Sequence, residues 1–244
     1  MPDFRFLILF LFFAGLAIAP LHAGSVLGDD FNQDESHDYN GLPKLRLNLE
    51  TGYSQWIYNP DHLTSSYDKY LNTLESGWNT AADVVWFPWA KGGIGATWIW
   101  FLSKASQNNV QLASGSAALH AMRDRASYVY YGPTFMSRLQ YGRFGLLVGS
   151  FSGGWMDIHY HWSEDGKPYD VKAGEFAVVA NVGWEYAFYR LVSLGLNGRA
   201  LLCNVTKYTL NGKKMDINDA AGPDQWRNIG MSRFEVDAGI RFGL

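Results

Sequence analysis

Cysteine occurs once in the 244 residues, at Cys203, so neither an internal disulfide nor a thiolate metal cluster can form. After residue 23 no apolar run reaches the ~20 residues that a helix needs to cross a membrane. A net charge of -3, with no basic run and no recognition motif, excludes a nucleic-acid partner. Metal-ligand spacing is missing too. His120 has no paired ligand nearby, and its segment reads as loop or short helix. Asp30, Asn32, Asp34, Ser36 and Asp38 alternate as in a calcium loop. Glycine is absent from the sixth position, and Gly41 stands where the bidentate glutamate belongs, so the stretch reads as a solvated acidic leader. No metal and no cofactor is expected.

What is present is aromatic and glycine-rich. Aromatics make up 16% of the chain, with 10 Trp, 14 Tyr and 26 Gly, while mean hydropathy is only -0.14. An uncharged run from Leu7 to Ala19, followed by Pro20, Leu21, His22 and Ala23, has the layout of an export signal cleaved near Ala23. The expected organisation is a signal peptide over 1–23, a polar acidic leader over 24–43, and one folded unit over 44–244.

That unit alternates with period two. The last eleven residues put Phe234, Val236, Ala238, Ile240, Phe242 and Leu244 on one face, and Glu235, Asp237, Gly239 and Arg241 on the other. Three charges on one face do not suit a dry sandwich core. They suit a wall between lipid and a polar interior. Similar segments run over 44–58, 77–87, 93–102, 127–139, 143–160, 174–188 and 192–209, and Pro133 in the fourth predicts a bulge or local break. Short connections at 88–92, 140–142 and 189–191 alternate with long ones at 59–76, 103–126, 161–173 and 210–231. Asp165-Gly166 and Asn211-Gly212 mark tight turns in the last two long connections, which predicts two projecting hairpins. Eight strands with alternating turn lengths predict a closed, all-β, antiparallel up-and-down transmembrane barrel with both ends on the turn side. A soluble sandwich or lipocalin-like barrel is the competing fold, but it needs no aromatics at both strand ends.

The aromatics fall into two expected belts at the membrane interfaces. Trp86, Trp89, Trp184, Tyr186, Phe188 and Phe242 belong to one. Trp56, Trp78, Trp98, Trp100, Tyr128, Tyr130 and Trp155 belong to the other. Inward positions carry Arg46, Glu50, Asp83, Glu185, Arg199, Glu235, Asp237 and Arg241. Eight strands enclose just enough room for such side chains to pair into a plug. A narrow pore is the sharper alternative.

In layout, residues 45–244 resemble the small eight-stranded outer-membrane barrels of the OmpA and OmpX type. The alternating terminal strand carries most of the likeness, although it ends in Leu244, with Phe242 two places before, where that family usually ends in an aromatic. The resemblance implies a monomer in the outer membrane, contact with membrane lipid and lipopolysaccharide, and recognition of the last strand by the barrel-assembly machinery. His161, Ser163 and the later Glu175 also resemble the His-x-Ser and Glu of outer-membrane lipid A deacylases, but Glu164 follows the serine where that family has Asn. Because Asp165-Gly166 and Pro168 place this trio near a hairpin tip, a non-enzymatic role is expected. That role is structural, or one of adhesion or binding to an unidentified extracellular ligand through the long loops.

Overall fold

The computed structural model describes residues 42–57, 64–112, 118–141, 145–189, 191–216 and 229–244. The export signal and most of the acidic leader lie outside these residues. The elements are β1 (Leu45–Trp56), α1 (Ser65–Glu75), β2 (Ser76–Trp86), β3 (Gly92–Val110), β4 (His120–Tyr141), β5 (Gly145–Glu164), β6 (Lys167–Tyr189), β7 (Val192–Val205), β8 (Lys207–Leu210), β9 (Lys213–Asp216), β10 (Ile229–Gly230) and β11 (Arg233–Gly243).

Strands β1 to β7 pair in order, and β11 pairs antiparallel with β7 on one side and β1 on the other. The ladder therefore closes into an eight-stranded antiparallel barrel with no edge at membrane depth. The stagger can be read from the register. Paired residues lead from Tyr131 through Trp98, Ala82, Leu49, Ile240, Leu194, Tyr186 and Gly145 to Tyr141, returning to β4 ten residues from the start. With strands ~4.8 Å apart and a rise of ~3.3 Å per residue, this stagger tilts the strands by about 40°.

Alternation survives as predicted. On β1, Arg46, Asn48, Glu50, Gly52 and Ser54 are buried, while Leu45, Leu49, Thr51 and Tyr53 are exposed. β2 does the same, and its nine residues from Trp78 to Trp86 match the ~9–11 that a tilted strand needs to span.

The sequence reading missed three features. The connection over 59–76 holds a helix, α1, whose N-cap Thr64 accepts from the Tyr67 amide at 3.2 Å. β3 to β6 run well past the apolar band, so 103–126 and 161–173 are largely strand. His120 accordingly opens β4 and does not sit in a loop or helix. The third feature is at Pro133, where no bulge forms. The β4–β5 register is unchanged on either side of it, and Gly132 and Gly154 approach so closely that a Cβ on Gly154 would lie 2.6 Å from Gly132 Cα. Both expected turns form, with Asp165 and Gly166 at φ 50° and 82° and Asn211 and Gly212 at φ 48° and 84°.

Candidate functional site

All eight charged residues expected inside are buried there. The arginines are shared between acids. Arg199 contacts Glu50 at 2.5 Å, Glu235 at 3.0 Å and Asp237 at 2.9 Å. Arg241 reaches Glu50 at 2.6 Å and Glu185 at 3.5 Å, and Arg46 also pairs with Glu185. Amides and a hydroxyl fill further acceptor positions. Asn48 donates to Glu50 at 2.5 Å and to Asp83 at 2.8 Å, Asn197 donates to Glu50, and Thr97 donates to Asp83 at 2.5 Å. Removed from water, such charges persist only when each faces an opposite charge, as these do, although Arg46 Nε and the Asn79 side-chain amide have no hydrogen-bond partner among the described residues. Glycine makes room for them: a Cβ on Gly195 would lie 2.5 Å from Arg241 Nη1.

Above this network the interior turns apolar. Ile99, Phe101, Tyr130, Met156, Val179 and Leu201 belong to one buried cluster, and Val85, Phe87 and Met136 form another at the turn-side end. Arg233 links charge to cluster. Its guanidinium lies 3.5 Å from the Phe101 ring centroid, while its Nε donates to Ser54 at 2.8 Å. Tyr128 donates to Glu235 at 2.6 Å. A cavity of about 90 Å³ at the turn-side end is lined in part by Arg46, Arg138, Glu185 and Arg241.

This arrangement corrects the belts. Tyr128 and Tyr130 are 1% and 0% exposed and face the interior, and Trp56 packs against the same cluster, beside Arg233. Trp98 faces outward but lies midway between Ile94 and Leu102, in the middle of the band. The upper outward belt is made of Trp78, Trp100, Tyr131, Trp155 and Phe176. Trp86, Trp89, Trp184, Tyr186 and Phe188 are exposed at the turn side, with Phe242 half-buried.

The proposed His–Ser–Glu trio does not assemble. His161 and Ser163 share the outward face of β5 with Trp155. Glu175 is paired with inward Met156, and it accepts from the Thr206 amide at 2.9 Å and the Thr206 hydroxyl at 2.8 Å. His161 lies 3.9 Å from Asp170 instead. With the acid on the opposite face, these residues cannot relay a proton.

Beyond the upper belt, β5 continues for nine residues past Trp155 to Glu164, about 30 Å along the strand. There β3 to β6, joined by the β8–β9 hairpin, form a raised sheet. α1 lies on β3: Tyr70 and Leu74 pack on Ala105, Val110 and Ala126, and Ser103 donates to Leu74 O at 2.7 Å. Tyr160 lies tilted against Trp162 with centroids 5.5 Å apart, and Trp162 stacks on Tyr169 at 4.8 Å. Beneath α1, outside the membrane-spanning part of β4, the Tyr160 hydroxyl donates to Asp124. Burial raises the Asp124 carboxyl above its ordinary pKa, against the lowering effect of the Tyr160 bond and the nearby Tyr70 hydroxyl.

Basic residues line the outward face of this sheet at one level. Lys104 pairs with Arg125, and His159 pairs with Lys172. Each step around the ring climbs about one and a quarter residues, given the stagger of ten over eight strands. Lys104, Arg125, His159 and Lys172 therefore sit at nearly one height, about 10 Å above the aromatic belt.

No protein-family model matches the chain, and no curated protein matches it. Among solved structures, the chain is similar to Neisserial surface protein A (NspA) at 8% identity and TM-score 0.45, covering 82% of this chain and 97% of that one. It is also similar to Ail, the attachment invasion locus protein of Yersinia pestis, at 12% and 0.33, covering 81% and 98%. The third is the outer membrane protease OmpT from Escherichia coli, at 9% and 0.38, covering 82% and 96%. At these scores the likenesses carry no weight for role. The closed ladder, the outward apolar band and the buried charge network make the chain an eight-stranded antiparallel barrel of the transmembrane type.

Proposed function

We propose that this chain is an integral outer-membrane protein with a non-conducting barrel, and that its role is surface interaction through the raised sheet. The carrying observation is the overrun of β3 to β6 beyond the apolar band, joined by α1 and the β8–β9 hairpin. Membrane anchoring requires none of this added structure. The row of Lys104, Arg125, His159 and Lys172 fits the phosphates of the lipopolysaccharide leaflet, with aromatics just below at the headgroup boundary. That leaflet is the proposed lipid partner, and the stacked aromatics and hairpin tips are left to a partner beyond it. The edge strand β9 carries Lys213 and Lys214, which disfavours indiscriminate strand addition.

Intact cells expressing Ser163→Cys, treated with a membrane-impermeant maleimide, test the placement. Cys203 is buried and stays silent, so strong labelling in whole cells is expected. A second strain with 157–172 replaced by a short turn should keep its barrel but lose adhesion to surfaces that the parent strain binds. Labelling only after lysis would reverse the orientation, and equal adhesion by both strains would remove the interaction role.

A further inference from the structure

We propose that His120, Glu164 and Asp165 form a divalent transition-metal site, suited to Zn²⁺, that clasps the top of the raised sheet. In sequence the histidine is separated from the acids by more than forty positions. In the fold, Met122 pairs with Glu164, which brings the start of β4 against the end of β5. His120 Nδ1 then lies 3.1 Å from Glu164 Oε1 and 2.8 Å from Asp165 Oδ2, and one ligand atom from each of the three residues falls within 4.8 Å of the others.

These separations are close to the edge of a zinc tetrahedron, which is roughly 3.3 Å for metal–ligand bonds of ~2.0–2.1 Å. The nitrogen carries one proton at most when neutral, yet two carboxylate oxygens lie within hydrogen-bonding range of it. One divalent ion meets all three donors at once. One imidazole with two carboxylates favours a borderline ion over calcium, which takes 6–8 oxygens.

The acids are also held in place. Asp165 Oδ1 accepts from the Ala121 amide at 2.8 Å, and the Asp165 amide donates to Ala121 O at 2.9 Å. Its φ of 50° belongs to the tight turn with Gly166. One carboxylate oxygen is thus fixed to backbone while the other stays directed at His120. All three side chains are partly or fully solvent-exposed, so an ion can reach them and keep water in its open position. A bound ion would tie the hairpin turn to the first residue of β4.

The experiment is calorimetric titration of Zn²⁺ into the full chain refolded in detergent, with Co²⁺ absorption reporting coordination. One ion per chain is expected. His120→Ala and, independently, Glu164→Gln with Asp165→Asn should each weaken binding by about tenfold or more. His159→Ala with His161→Ala should leave it unchanged. Heat-modifiable gel mobility verifies that each variant is folded. Absence of Zn²⁺ binding, binding that survives His120→Ala, or binding lost only with His159 and His161 would each overturn the assignment.

Discussion

Glu50 and Arg199, 149 positions apart in the chain, meet at 2.5 Å in the middle of the barrel, with side chains 0% and 1% exposed. Arg199 also serves Glu235 and Asp237. Removing its charge leaves acids buried with too few cations. Arg199→Met should therefore cost roughly 3–5 kcal/mol in urea unfolding from detergent micelles. Arg199→Lys should fall in between, because one ammonium cannot span three carboxylates as a planar fork does. An unchanged urea midpoint for Arg199→Met would refute this account of the plug.

A barrel filled in this way should be electrically silent. Planar bilayers containing the purified chain should show no stable conductance steps. Double replacement of Arg199 and Arg241 by Ala, if it folds, should introduce noisy openings at the centre of the network. Stable wild-type steps would show that the apolar layer around Phe101 and Tyr128 parts readily, and would restore the pore reading.

Asp124 predicts a pH dependence. Burial raises its folded pKa above the ordinary 3.8, so the folded state holds this proton more tightly than the unfolded one. The stability it contributes is fully present below that ordinary value and is lost as pH rises through the folded pKa. Asp124→Asn still accepts from Tyr160 but carries no charge. It should exceed wild type in thermal stability at neutral pH and lose that advantage in acid. The opposite ordering would mean that the Tyr160 bond outweighs burial.

The outward basic row makes a lipid prediction. Arg125→Gln with Lys172→Gln should reduce lipopolysaccharide co-purifying with the barrel by roughly thirtyfold, at about 1 kcal/mol for each of the two charges removed near a headgroup surface. The heat-induced gel shift should stay intact. Full retention of the lipid would show that the aromatic belt alone holds it.

With Glu175 turned inward and held by Thr206, His161→Ala should leave the lipid A mass spectrum of expressing cells unchanged. Deacylated species that disappear in the variant would bring the hydrolase back despite the register.

Period-two alternation is a property of each strand alone, and it identified eight barrel strands and eight inward charges, though not Arg233 or Arg138. It failed where both faces are apolar, as along Tyr128, Val129, Tyr130 and Tyr131. There only packing against Phe101 and Ile158 decides which ring turns inward. The Asn-Gly and Asp-Gly turns were also legible, since their backbone demands a positive φ wherever they fall.

Height and partnership, by contrast, belong to the tertiary structure. A strand's pattern gives the face of Arg199 but not the level at which it meets Glu50. That level follows from a stagger of ten residues distributed around the whole ring. The same register separates Glu175 from His161 and Ser163, brings His120 to Glu164 and Asp165, and aligns the basic row. The overrun of β3 to β6 and the helix on β3 also depend on cross-strand pairing that the alternation of a single segment does not encode. The sequence alone determined which residues face lipid and which face inward in its regular strands, because that is local backbone geometry. Which of them touch was decided only by closing the barrel, because contact depends on the relative shift of strands far apart in the chain.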